Sequence, residues 1–284
     1  NFVFLRELLP FAIPYGVIGC VGAFSPILER SLVTNLLGSH ELGLYAAGAK
    51  VALFISLFIQ AFQTAWGPFS LAIYQQSDAA HTYNWVLKAF AMCICIAVLL
   101  LSAIAQPMIL LLASDRYVGA SIVVFPLAMG LAIQATGWIT EIGIGFSKRS
   151  HLSLYSYAVY IGVTFISIRQ LTPVLGLLGA ALGVLIGYAA KSIVTTWIAQ
   201  RAYALPWEFH PIIAFMVGTI AIGLIGTWSG LVFSTMAASL LYTIGSLILL
   251  VMGWLLLFGS HDRHLIVSEI RAIGVLFRLA RKEA

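Results

Sequence analysis

Glu29, Arg30 and Lys50 are ionisable residues set in otherwise apolar sequence, on either side of a short polar stretch, Gly38-Ser39-His40-Glu41. Read as two antiparallel helices hinged near residue 40, the flanks carry Arg30 and Lys50 to one depth. That depth is on the order of 12–15 Å from the hinge at a rise of 1.5 Å per residue. A cation at the centre of a membrane costs roughly 2.5–3.5 kcal/mol, so each calls for water or an anionic group to meet it. Glu29 is one residue from Arg30, about 100° round the helix, and need not neutralise it. A second pair, Glu141 and Lys191, falls nearer the opposite end of the apolar segments. The chemistry expected is a hydrated cavity between helices with cations in its outer half; the competing reading is a set of buried ion pairs that serve helix packing. Gln60, Gln63 and Gln134 could line the cavity or act as polar glue between helices.

These residues need apolar helices to position them, and the composition supplies little else. Hydrophobic residues make up 61% of the 284 and charged residues 9%, against about 25% charged in soluble chains. The mean hydropathy is +1.02. So few charges cannot coat a soluble surface, and the fold class expected is all-α, a polytopic membrane bundle. Eight spans of the roughly 20 residues needed to cross a bilayer are predicted. They run approximately 8–37, 42–74, 84–113, 118–147, 152–172, 176–200, 210–230 and 235–258. The apolar runs are too long and continuous for transmembrane β-strands.

Lysine and arginine set the orientation. Arg6, Lys88, Lys148, Arg149, Arg201 and the tail residues Arg263, Arg271, Arg278, Arg281 and Lys282 fall on one side; Arg116 and Arg169 fall on the other. This bias puts both termini of the segment in the cytoplasm and the bundle in the cytoplasmic membrane. Residues 261–284 carry Leu265, Ile266, Ile270, Ile273, Leu276 and Phe277 at helical spacing with Arg271, Arg278 and Lys282 opposite. That pattern predicts an amphipathic basic helix lying on membrane lipid. Pro10, Pro14 and Pro26 predict a bent or broken first helix. Gly179, Gly183 and Gly187 repeat every four residues and predict a close helix approach.

Other classes of function find no support. The basic residues are not gathered on one module, so no nucleic-acid partner is expected. No phosphate-binding loop, HExxH helix, paired CxxC or nucleophile elbow is present, all loops are short, and no enzyme, catalytic residue, cofactor or metal site is expected. His40, His81, His151, His210, His261 and His264 lie at span ends or in the tail, without metal-ligand spacing. Cys20, Cys93 and Cys95 read as small packing residues. Most of the seven tryptophans read as an interfacial belt. Asn1 is not an initiator methionine and no charged region with a cleavage site precedes the first span, so the chain reads as a piece of a longer protein without a signal peptide.

A family resemblance joins these readings. Glu29-Arg30, Leu37-Gly38, Glu41-Leu42-Gly43-Leu44-Tyr45-Ala46-Ala47 and Lys50 are followed by Gln60-Ala61-Phe62-Gln63-Thr64-Ala65-Trp66-Gly67-Pro68-Phe69. Together they resemble the seventh and eighth helices of the polysaccharide (O-antigen-type) flippases, of the multidrug/oligosaccharidyl-lipid/polysaccharide exporter superfamily. The run from Gly176 to Gly183, GLLGAALG, resembles the start of the family's twelfth helix. The resemblance covers roughly residues 8–200.

It implies two six-helix lobes around a central cavity. This chain would supply the second lobe, residues 1–204, followed by two additional transmembrane helices at 205–260 and the tail at 261–284; an N-terminal lobe would be its partner. By alternating access such a protein moves a polyprenyl-pyrophosphate-linked oligosaccharide outward for surface polysaccharide biosynthesis. Glu29 stands where family members commonly have aspartate. Arg30 and Lys50 would bind the pyrophosphate, arginine by a bidentate fork and lysine as a point charge. H+ or Na+ is a candidate coupling ion. Two alternatives stay open: a cation-coupled multidrug exporter of the same superfamily, which would favour acidic cavity residues, and a non-transporting membrane scaffold with mutually paired charges.

Overall fold

A computed structural model describes residues 2–76, 78–146 and 151–259. The predicted tail at 261–284 and the basic pair Lys148 and Arg149 lie outside the described residues. The protein is helical throughout, with no strand among the described residues. Among the described residues seven helices are long and apolar enough to cross a membrane, and the molecule is a multi-pass helical bundle.

In chain order the helices are α1 (Phe2–Leu37), α2 (Ser39–Ala52), α3 (Ile55–Ile73), α4 (Ala79–Ala103) and α5 (Ala105–Leu112). A 3-10 turn (Asp115–Ala120) leads into α6 (Ser121–Thr140), α7 (Ile142–Phe146), α8 (Leu152–Ala202), α9 (Phe209–Val232) and α10 (Thr235–Leu256). The first helix runs unbroken through Pro10, Pro14 and Pro26. Of the bent or broken helix expected, the break does not occur; membrane helices re-satisfy the carbonyls that proline frees.

The turn between α1 and α2 is a single residue, Gly38, at φ 93°. Glycine adopts positive φ without the penalty of a Cβ, and α2 begins at once at Ser39. The chain therefore reverses earlier than residue 40. Arg30 stands eight residues before Gly38 and Lys50 twelve after it, an offset of about one helical turn rather than the equal depth expected from sequence.

A second glycine reversal governs α8. This helix is 51 residues long, but Gly176 lies outside helical geometry at φ 58°, ψ −136°, a conformation open in effect to glycine alone. The two arms fold back on each other. Gly179 abuts Leu171 and Thr172, Gly183 abuts Ile168, and Gly187 abuts Thr164. A Cβ on Gly183 would stand 2.7 Å from the Ile168 backbone. The four-residue glycine repeat thus does the packing its spacing predicts.

Helix α6 is the centre of the bundle. Residues 123–130 are all buried, as befits a helix apolar on every face, and α2, α4, α8 and α9 pack round it. The later helices join the same core: Gly223 of α9 receives the ring of Phe125, which stacks on Tyr242 of α10 at 6.0 Å. The α8–α9 loop is clasped to α4, where Asn84 donates to the Pro206 carbonyl (2.6 Å) and accepts from the Glu208 amide (2.8 Å). Lys88, counted among the basic residues of the cytoplasmic side, is buried near the start of α4 and pairs with Glu208 at 2.6 Å. Trp66 is likewise no belt residue; it is 8% exposed and packs against Phe62 and Tyr83.

Candidate functional site

Ser25, Glu29 and Val33, spaced by four, form the buried stripe of α1. Glu29 is only 9% exposed, in a helix otherwise largely bare. Three hydroxyls reach its carboxylate. Tyr45 of α2 donates to Oε2 at 3.0 Å, and Tyr160 of α8 donates to Oε1 at 3.1 Å. Ser25 lies 3.1 Å from the same Oε1 and 2.9 Å from the Tyr160 hydroxyl, with one proton to give to either. The Tyr160 ring stacks on Tyr188 of the second α8 arm at 4.6 Å. One carboxylate therefore ties α1 to α2 and to both arms of α8, and it satisfies hydroxyls that would be costly to bury alone.

Arg30, one residue on, is exposed and acts on Glu29 through space, with no direct ion pair among the described residues. Lys50 is also exposed, in the last turn of α2, where helix carbonyls favour a cation. It lines a groove of about 630 Å³ between α2, α5 and the 3-10 turn. Arg30 does not line that groove. The two cations stand on different helices, and counted from Gly38 they differ in depth by about a turn.

Glu141 follows the last residue of α6 and accepts a hydrogen bond from Ser153 at 2.6 Å. Lys191 is buried, with its Nζ 3.9 Å from the centre of the Tyr157 ring, a cation–π contact. Glu141 acts on Lys191 electrostatically without a direct ion pair. Tyr157 lies one turn from Tyr160, so the Glu29 hub and the Glu141–Lys191 group form one polar column along α8. Glu141 and Tyr157 also line an open pocket of about 380 Å³ with Ile18, Trp66, Ser70 and Trp138, between α1 and α3. Gln63 shares the face of α3 that carries Trp66 and Ser70.

Sequence reasoning missed Ser25, Tyr45 and Tyr160. The four-residue spacing of Ser25 and Glu29 was a usable signal. Tyr160, 131 residues away from Glu29, gave none. Gln60 is exposed and Gln134 half-buried. Among the described residues no group of three His, Cys, Asp or Glu side chains could hold a metal ion, and the three cysteines are free. Compared with known proteins, the chain matches no family model, no curated protein and no solved structure.

Proposed function

We propose that the protein flips a polyprenyl-pyrophosphate-linked oligosaccharide to the outer leaflet of the cytoplasmic membrane, as one lobe of a two-lobe, alternating-access exporter. The observation that carries this reading is the exposure of Arg30 and Lys50, with Asn35 and Gln60, on helices of membrane-spanning length. The Lys50, Asn35 and Gln60 side chains have no partner among the described residues, Arg30 acts on the Glu29 carboxylate only through space, and such groups are costly where they meet hydrocarbon. They suit a wet surface that meets an anionic, hydroxyl-rich substrate. Counted with its reversal at Gly176, α8 is two spans, which gives eight in all. In this reading α1 to α8 form the lobe, α9 and α10 extend it, and an N-terminal lobe closes the cavity against α1 and α3.

The test is to replace Arg30 and Lys50 together with alanine in the intact protein. Export of lipid-linked glycan should fall to background while membrane insertion stays normal. Unchanged export would overturn the proposal.

One observation favours the second reading, a multidrug exporter. The pocket between α1 and α3 combines the Glu141 carboxylate with Trp66 and Trp138, groups that suit an organic cation. Under that reading Glu141→Gln would sensitise cells to cationic drugs and leave glycan export intact.

A further inference from the structure

At one end of the bundle a crevice of about 180 Å³ lies between α4, α5, the 3-10 turn, the start of α6 and the α9–α10 connection. Four hydroxyls from three helices line it, and each has already committed its one proton. Ser102 donates to the Val98 carbonyl at 2.7 Å, and Ser239 to that of Ala103 at 2.8 Å. Thr227 donates to the Gly223 carbonyl at 2.9 Å, so the proton between Thr227 and Tyr242, 2.8 Å apart, comes from Tyr242. What these four still offer is lone pairs. Gln106, Ser121 and Thr235 line the same crevice without a side-chain partner among the described residues. No charged side chain lines it. Arg116 is exposed, however, and three residues before the lining residue Gly119 on a 3-10 turn it shares that residue's face. Leu231 of the lining and the neighbouring Phe233 and Met236 are exposed apolar side chains at the ends of membrane-spanning helices, the depth at which lipid headgroups begin. The hydroxyls thus ask for a donor, the turn for an anion and the flanks for hydrocarbon. A free anion would meet acceptors in the crevice, and a trimethylammonium headgroup has no N–H to give.

We propose that this crevice binds the headgroup of an aminophospholipid, its primary ammonium donating to the Ser102, Ser239 and Tyr242 oxygens, its phosphate meeting Arg116 and its acyl chains lying along α9 and α10. A lipid seated there ties the α9–α10 connection to α5 and the 3-10 turn, whatever the protein transports. Selectivity follows from the committed protons: an ammonium with three N–H groups satisfies oxygens that a methylated one leaves bare.

The intact protein in detergent is titrated with lipids of identical acyl chains, and bound lipid is counted by native mass spectrometry. The series runs from phosphatidylethanolamine through its N-methyl and N,N-dimethyl forms to phosphatidylcholine, so the N–H donors fall while phosphate and charge stay. Affinity should fall along the series, by about tenfold or more from end to end, as loss of charge-assisted hydrogen bonds does. Arg116→Ala should weaken all four lipids alike, and Arg116→Lys should restore most of the loss. Ser239→Ala should cut the ratio between the end members by about threefold, as loss of one acceptor does. Ser121→Leu, which narrows the crevice and leaves Ser102, Ser239 and Tyr242 in place, should bring that ratio close to one. Unfolding midpoints equal to that of the parent confirm that the folds are intact, and Arg116 is exposed, so its variants fold even where a crevice variant does not. Affinity that ignores methylation overturns the inference. So does unchanged binding in Arg116→Ala, or a ratio that neither Ser239→Ala nor Ser121→Leu moves. Free ethanolamine that displaces the lipid at equal concentration makes this a site for a soluble amine and overturns the lipid assignment.

Discussion

Beyond the Asn84 and Lys88–Glu208 contacts at the head of α9, the two outer edges of the bundle attach by different means. Helices α9 and α10 dock through glycine notches: Phe125 fits against Gly223, Tyr242 against Gly226, and Ile222 against Gly245. Residues 211–258 contain no charged residue, and the outer side is a sheet of exposed Val217, Ile225, Leu240, Ile244, Leu247 and Val251. Helix α1 is barer still, yet it is held by a buried carboxylate and its hydroxyls. Its exposed surface mixes Phe24 and Ile27 with Arg30 and Asn35. One edge is wholly apolar on its outer side, and the other mixes apolar with polar side chains. A polar clasp has few arrangements and can be exchanged as a unit, whereas interlocked apolar packing only loosens.

The largest expected effect lies at that clasp. Glu29→Leu strands the hydroxyl of Tyr45, 2% exposed, and leaves that of Tyr160, 3% exposed, with Ser25 alone. At roughly 1–3 kcal/mol for a buried group left unsatisfied, the loss should be at least about 1–3 kcal/mol, read as the unfolding midpoint in detergent. Adding Tyr45→Phe and Tyr160→Phe removes these hydroxyls and should recover much of it, a non-additivity that marks a shared network. A midpoint unmoved by Glu29→Leu would mean that α1 is held by apolar contacts after all, and the contrast between the edges would vanish.

Next in size is a charge placed on each edge. Leu247, 61% exposed, should cost roughly 2.5–3.5 kcal/mol of insertion free energy as arginine. Gln60→Arg on α3 should cost well under half of that if water reaches it. Equal penalties in an insertion assay would show both edges facing lipid. Gly223→Leu should follow, at about 1–3 kcal/mol of overpacking against Phe125. Its signature is selective: α9 and α10 should gain protease sensitivity while the α1 clasp stays intact.

Where the sequence was legible depended on how local the determinant was. Helical class and the glycine-packed approach in α8 follow from runs and spacings within a few dozen residues, so they could be read directly. The reversal near residue 40 was also visible, but the exact turn residue was not, because any of four polar residues could have made it. Moving it to Gly38 was enough to offset Arg30 from Lys50. The clasp was out of reach for another reason. Buried tyrosines look like any apolar-face aromatic until a distant chain segment brings a carboxylate to them, and Tyr160 meets Glu29 across 131 residues. The partner of Lys88 was out of reach in the same way, since Glu208 comes from a loop 120 residues on.

The smallest effect tests which polar groups matter on the α1–α3 edge. Thr34 and Thr64 are exposed there, but each donates its hydroxyl to a carbonyl one turn back, Arg30 at 2.8 Å and Gln60 at 2.9 Å. A threonine bonded in this way asks nothing further of its surroundings; exposed Thr243 on α10 does the same with Ser239. Thr64→Leu should therefore change stability by no more than about 0.5 kcal/mol, as an ordinary surface substitution does. Gln60 has no such partner among the described residues, so its amide must be met by water or substrate. Gln60→Cys, in a background without the native cysteines, should react with a membrane-impermeant maleimide, while Leu247→Cys should not. If Gln60→Cys is silent and Thr64→Leu costs several times the stated limit, the threonines make this edge polar and the unpartnered side chains do not.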